Sequence, residues 1–136
     1  MEPDMSNLNL SVMASTNTAT GIGTGYDTAK AISLEQDLFA RSQISVLASM
    51  LEVQLTNISG ATKINCCLSR DPAGDDFVLT DTQTTIQTGL TTDSRGAALI
   101  RMDVVIKDLN DNILYLHVKT NAGTLDINSA GLTFRF

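Results

Sequence analysis

The chain of 136 residues has the length of one domain and is long enough to bury its own core. Its net charge of -6 disfavours the basic surface that nucleic-acid binding requires. No basic segment followed by an apolar stretch opens the sequence, and no apolar run reaches the ~20 residues of a membrane span. We therefore expect a soluble protein made in a cytoplasm, with no nucleic-acid or membrane partner.

Residues 1–30 differ from the rest in being rich in Ser, Thr, Asn and Gly. This composition predicts an extended arm, because it offers too few large apolar residues for a core of its own. Within it, Leu8, Leu10 and Val12 alternate with small polar residues and predict an edge strand. The arm must lie on another surface, either the chain's own sheet or a neighbouring subunit. Strand addition to a neighbour is the interpretation we favour.

From residue 31 onward, the pattern predicts short strands separated by turns. Residues 31–40 fit a strand or a helix, and we favour a strand. Residues 44–58 and 62–69 alternate apolar and polar side chains on either side of a Ser59-Gly60 turn. This arrangement predicts a hairpin.

The next segment, residues 70–76, is rich in turn-forming residues, and residues 77–79 form a short predicted strand. Residues 82–92 are rich in Thr and predict an edge strand or an exposed loop. Residues 97–120 hold two alternating runs around an Asp- and Asn-rich turn, which predicts a long central hairpin. His117 is predicted on its wetter face.

The chain closes with a predicted strand at residues 124–128, a turn at 129–131 and a last strand at 132–136. Turn signals every 8–12 residues are typical of β-sandwiches. We predict an all-β fold, an antiparallel β-sandwich or jelly roll over residues 31–136, preceded by an extended N-terminal arm at residues 1–30.

Side chains able to carry chemistry are sparse. His117 is the only histidine, so the chain alone cannot build a two-histidine metal site. Asp71, Asp75 and Asp76 cluster in one loop without the spacing of a calcium loop, as do two Asp residues at 108 and 111, and turn formation explains them better. We therefore predict that the protein has no catalytic residue, metal site or cofactor and that it is not an enzyme.

The two cysteines, Cys66 and Cys67, are adjacent in a predicted strand. Neighbouring residues of a strand point to opposite faces, and a disulfide between them is strained. Two reduced thiols with one in the core are therefore expected.

The chain resembles small virion proteins of tailed and icosahedral phages, namely head-decoration (cement) proteins and penton-type jelly rolls. The resemblance lies in the polar arm from Met5 to Thr28, the Thr-rich run from Thr82 to Thr92 and the closing segment from Leu114. It implies a homo-oligomeric virion protein that clamps or plugs a capsid through contacts with the major capsid protein or another virion protein.

On this interpretation, the arm binds the partner. The residues expected to do so are Leu8, Leu10, Val12, Ile22 and Tyr26. The alternative is a β-sandwich that binds a carbohydrate or a receptor. Few aromatic residues are available for stacking on sugars, which weakens this alternative.

Overall fold

A computed structural model describes residues 10–36, 44–45, 48–86, 97–106, 108–109 and 112–135, which form eleven strands and a short 3-10 helix at Thr28–Lys30. The strands are β1 (Leu10–Ser15), β2 (Ala19–Ile22), β3 (Ile32–Glu35), β4 (Ile44–Ser45), β5 (Ala48–Ser59), β6 (Lys63–Ser69), β7 (Phe77–Thr85), β8 (Ala98–Val104), β9 (Asp108–Leu109), β10 (Ile113–Thr120) and β11 (Thr124–Arg135).

Nine of these strands form two antiparallel layers that share one continuous ladder. The first layer has the order β7-β6-β10-β3, and the second has the order β8-β5-β11. β1 and β2 lie one after the other along the free side of β11. A two-residue pairing between β1 and β3 joins the layers. The remaining strands, β4 and β9, pair with each other.

The inner faces of both layers meet in one aliphatic core, so the fold is an antiparallel β-sandwich, as predicted. Its fully buried side chains come from strands of both layers. Examples are Leu34, Leu51, Leu55, Leu68, Leu114, Leu116 and Leu132.

The predicted alternation is confirmed in β5, β6, β8 and β10, whereas in β1 the side chain that enters the core is Met13 and not Val12. Leu51, Val53 and Leu55 of β5 point inward, as do Ile64 and Leu68 of β6. The same holds for the alternate residues of β8 and β10. The segment that fitted either a strand or a helix contains a strand, β3. Sequence period therefore identified the buried faces of β5, β6, β8 and β10 correctly.

Both predicted hairpins are wrong. β8 pairs with β5, whereas β10 pairs with β3 and β6 in the other layer. β5 and β6 likewise belong to different layers. Each of the two connections carries the chain from one layer to the other, because a strand with one apolar face can close the core from either layer.

Two connections that cross between the layers pack against each other. One lies at Gly60, between β5 and β6, and the other at residues 121–123, between β10 and β11. The side-chain oxygen of Asn121 accepts hydrogen bonds from the backbone N–H groups of Thr62 and Lys63 at 3.0 and 2.9 Å. The two crossings therefore hold each other in place at one corner of the sandwich.

The turn predicted at residues 129–131 is also wrong, because β11 runs unbroken from Thr124 to Arg135. The ladder with β5 shifts register between Ile127 and Ser129, which leaves Asn128 as an extra residue. The small polar residues there mark a β-bulge. Pairing with strands on both sides of β11 keeps the chain extended through it.

Part of the predicted arm belongs to the sandwich. The backbone from Leu10 to Ala14 pairs with β11 of the same chain, where we had expected a neighbouring subunit. Met13 is completely buried, and Ala19 and Ile22 join the same core. Three apolar residues are enough because the rest of the core is already built and the backbone ladder supplies the remaining contacts.

Candidate functional site

The outer face of the first layer carries the groups able to bind or react. β6 and β10 place their odd-numbered side chains on this face. The opposed pairs are Ser69 with Tyr115, Cys67 with His117, and Asn65 with Lys119. A thiol and an imidazole therefore stand side by side at the middle of the face.

β7 adds two more side chains because its ladder with β6 is irregular. Cys66 pairs with Thr82 and Leu68 with Leu79, so Thr80 and Asp81 both lie opposite Cys67. A bulge of this kind breaks the inward-outward alternation. Thr80 and Asp81 are both exposed as a result. Sequence alternation alone would have turned Asp81 inward.

A cleft of about 290 Å³ opens over these strands. Cys67 and His117 contribute to its lining, together with Thr80 and Asp81 of β7. The turn between β6 and β7 and the segment before the 3-10 helix close its sides. Lining residues from these flanks are Ala73, Gly74, Phe77, Tyr26 and Thr28. Two aromatic rings thus face the cleft, with Phe77 45% exposed and Tyr26 38% exposed.

His117 is buried, with only 4% of its surface exposed, and its predicted place on a wetter face is wrong. The strand period put it on the outer face correctly, but the loop after β6 folds back over that face. A Cβ added to Gly74 would lie 3.5 Å from Nε2 of His117. Loop cover of this kind is not encoded in strand periodicity.

The hydrogen bonds of Ser69 define the tautomer of His117. The Ser69 hydroxyl donates to the backbone oxygen of Asp71 at 2.6 Å, so it accepts from Nε2 of His117 at 2.8 Å. Burial lowers the pKa of His117, and the negative charge of Asp71 opposes this only in part. The imidazole is therefore neutral at pH 7, with its proton on Nε2.

Although Ser69, His117 and Asp71 are neighbours, they do not form a nucleophilic triad. Ser69 is completely buried, and its hydroxyl proton is already donated to the loop. The carboxylate of Asp71 accepts the backbone N–H groups of Asp75 and Asp76 at 3.0 and 2.9 Å. These bonds hold the pKa of Asp71 below its ordinary value. Its predicted turn-forming role is confirmed.

Asp81 is the charged group of the cleft, and two neighbours orient it. The Tyr26 hydroxyl donates to Oδ1, and the Asn65 amide donates to Oδ2 at 3.0 Å. The bond from Tyr26 lowers the pKa of Asp81. Burial and the same bond raise the pKa of Tyr26. At neutral pH, the site therefore holds a carboxylate beside a neutral phenol.

A cation balances this carboxylate. Nζ of Lys119 lies 4.7 Å from the centroid of the Tyr26 ring, a cation-π geometry. Its positive charge also contributes to the lowered pKa of Asp81. Lys119 therefore offsets part of the negative charge of Asp81.

Both cysteines are free thiols, with Cys66 in the core and Cys67 under the cleft. Burial raises the pKa of both thiols, and for Cys67 the Tyr26 hydroxyl opposes this only in part. Neither is an activated nucleophile.

The structure does not gather the predicted partner-binding residues on one surface. Leu8 lies outside the described residues, and Leu10 begins β1. Val12 is 51% exposed, whereas Ile22 is buried in the core and Tyr26 lines the cleft. A role for these residues in partner binding stays a prediction.

Within the described ranges, no three side chains of His, Cys, Asp or Glu lie close enough together to hold a metal ion. The same residues contain no helix with the length and hydropathy of a membrane span.

Neither protein-family models nor curated protein sequences match this chain. Among solved structures, it is similar to the carbohydrate-binding module CBM6cm-2 of Cellvibrio mixtus lichenase 5A in complex with cellotriose, at 14% identity and a TM-score of 0.42, covering 91% of this chain and 96% of that chain. It is also similar to Eiger TNF from S. frugiperda, at 9% identity and a TM-score of 0.41, covering 94% and 93%. A third is the apo CBM1 of BiXyn10A, at 12% identity and a TM-score of 0.36, covering 88% and 90%. Similarity this low says nothing about function.

Proposed function

We propose that the protein is a structural component of a virion, a capsid decoration (cement) or vertex protein that joins subunits through an exposed apolar face of its N-terminal strand. The observation that carries the proposal is the exposure of Val12. This side chain is 51% exposed on the outer face of β1, while the adjacent Met13 is completely buried. β1 thus presents an apolar side chain on each face, and the core uses one of them.

A second exposed apolar residue lies nearby. Ala14 pairs with Glu35 of β3, and Glu35 pairs with Ile113 of β10. Ile113 is 40% exposed, and Val12 is two residues from Ala14 along β1. The exposed side chain of Glu35 lies between Ala14 and Ile113 on this face. Apolar side chains bordered by polar ones are found on surfaces that bind another protein. We call the surface formed by Val12, Ala14 and Ile113 the outer apolar patch. Its partner would be a second copy of the chain or the major capsid protein.

The test replaces Val12 with Asp and measures oligomeric state by size-exclusion chromatography with light scattering. Thr20→Asp on β2 is the control, because Thr20 is also exposed and the added charge is the same. We expect an oligomer for the wild type and Thr20→Asp, and dissociation for Val12→Asp with unchanged circular dichroism. Sedimentation with purified virus particles, followed by immunoblotting, tests the virion role. A chain that is monomeric at all concentrations and absent from particles would overturn the proposal.

The second candidate function is a carbohydrate- or receptor-binding module. A specific observation favours it, namely the cleft of about 290 Å³ with Phe77 and Tyr26 exposed beside the carboxylate of Asp81. An apolar cleft with few, well-oriented polar groups is the usual form of a small-ligand site. Binding of immobilised glycans that Phe77→Ala abolishes would favour this candidate over the virion role.

A further inference from the structure

We propose that the cleft binds one neutral sugar residue, with the ring stacked on Phe77 and a hydroxyl group donating to Asp81. The proposal rests on the second candidate function and specifies its ligand. Its basis is the combination of cleft size, acceptor capacity, charge balance and apolar lining.

Size limits the ligand to a single ring. The cleft volume of about 290 Å³ is at the low end of the ~300–1,000 Å³ of small-molecule sites. A single sugar residue is therefore the ligand that we assign to the cleft.

Asp81 has acceptor capacity to spare. An ionised carboxylate offers about four lone-pair positions, and the described contacts use two of them, from Tyr26 and Asn65. Those two hydrogen bonds fix the orientation of the carboxylate. The bond from Tyr26 also lowers the pKa of Asp81, so the carboxylate stays ionised at neutral pH. The remaining positions can accept hydrogen bonds from ligand hydroxyl groups.

Charge balance selects a neutral ligand. An ammonium ligand would gain most from a carboxylate that no cation accompanies. Here Lys119 lies over the Tyr26 ring at 4.7 Å and lowers the pKa of Asp81 through its charge. A cationic ligand would have to compete with this lysine, whereas a hydroxyl group needs only an acceptor. The site therefore favours a polyol over an amine.

The apolar lining supplies the complementary surface. Phe77 is 45% exposed, and Ala73 and Gly74 continue the apolar wall beside it. A pyranose has one face of C–H groups and an edge of hydroxyl groups, so it can contact the aromatic ring and the carboxylate together. A fully apolar ligand would leave without a donor the acceptor positions of Asp81 that Tyr26 and Asn65 do not use.

The experiment is a titration of the ¹⁵N-labelled full chain with a panel of neutral monosaccharides, followed by NMR. Backbone signals of residues 77–81 should shift with saturation for at least one sugar, and tetramethylammonium should cause no such shift. Phe77→Ala should weaken binding about tenfold, and Asp81→Asn should weaken it too. Val105→Ala is the matched control, because Val105 is also an exposed apolar residue, at 75%, but lies outside the cleft and outside the outer apolar patch.

The outcomes separate the two proposals. Saturable shifts in residues 77–81 that Phe77→Ala removes support the inference. Binding of tetramethylammonium in place of sugars overturns the neutral-sugar assignment but leaves a ligand site in the cleft. Glycan binding with shifts elsewhere on the chain overturns the site and leaves the module function standing. No shift with any sugar, together with no glycan binding on an array, overturns both.

Discussion

Replacement of Gly123 by Ala tests whether the chain crosses between the layers where the structure places it. Gly123 has φ +66, and a Cβ built there overlaps the carbonyl oxygen of Ser59 and lies 3.1 Å from Cα of Gly60. A non-glycine residue in this conformation costs about 1–2 kcal/mol. The overlap with the backbone adds a forced shift of about 1–3 kcal/mol. The free energy of unfolding should therefore fall by about 2–5 kcal/mol.

Two glycines of the same chain separate these effects. Gly60 has φ +84, but a Cβ there meets its nearest atom at 3.5 Å, so Gly60→Ala should show the conformational cost alone. Gly25→Ala should be close to neutral, because its Cβ meets nothing within 4 Å. Urea denaturation at constant slope measures all three variants. If Gly123→Ala were no less stable than Gly60→Ala, the two crossings would not pack together and the topology would be wrong.

Three further predictions concern burial. Burial lowers the pKa of His117 in the folded state, so between pH 6.5, the ordinary pKa of histidine, and lower pH the unfolded state takes up the proton first and stability falls. His117→Gln removes this group and should make the fall smaller. Urea melts at pH 8 and pH 5 measure it, and an unchanged difference in the free energy of unfolding between the two pH values would contradict the prediction. Cys66→Ser should cost about 1–3 kcal/mol by placing a hydroxyl group in the core. Cys67→Ser should cost less and leave the oligomeric state unchanged, because Cys67 is buried beside the Tyr26 hydroxyl, which can bond the new hydroxyl group; equal losses in thermal melts would refute the assignment of faces. Met13→Ala should cost about 2–5 kcal/mol and Val12→Ala under about 0.5 kcal/mol; the reverse order in chemical denaturation would show that β1 is turned over.

Fold class could be predicted from the sequence because each long strand carries its own period. Leu51, Val53 and Leu55 bury one side of β5 whichever strand lies next to it. Partner choice could not be predicted in this way. The buried face of β8 would fit either layer. The backbone hydrogen bonds that join β8 to its neighbour involve no side chain, so the pattern of side chains does not show which strand that neighbour is. A turn between two strands therefore predicts a reversal, but not whether the strands pair.

The cleft was beyond sequence analysis for a related reason. Strand period places Cys67 and His117 on one outer face, and this could have been read from the two segments once their pairing was known. Asp81 lies on that face because β7 has a bulge there, and Gly74 covers His117 because the loop after β6 folds back over the face. Both depend on local departures from regular structure, which leave little trace in a pattern of alternation.

Composition alone did not show that residues 10–30 belong to the folded domain, whereas the packing of this segment does. Few apolar residues lie between residues 10 and 30, and the segment could not form a core alone. It does not need to, because β11 offers the backbone of β1 a partner strand and Met13 enters an apolar cluster that other strands have already built. The strand position that the core leaves unused is Val12, on the opposite face. Val12 is 51% exposed, and the Val12→Asp variant tests whether a second chain covers it.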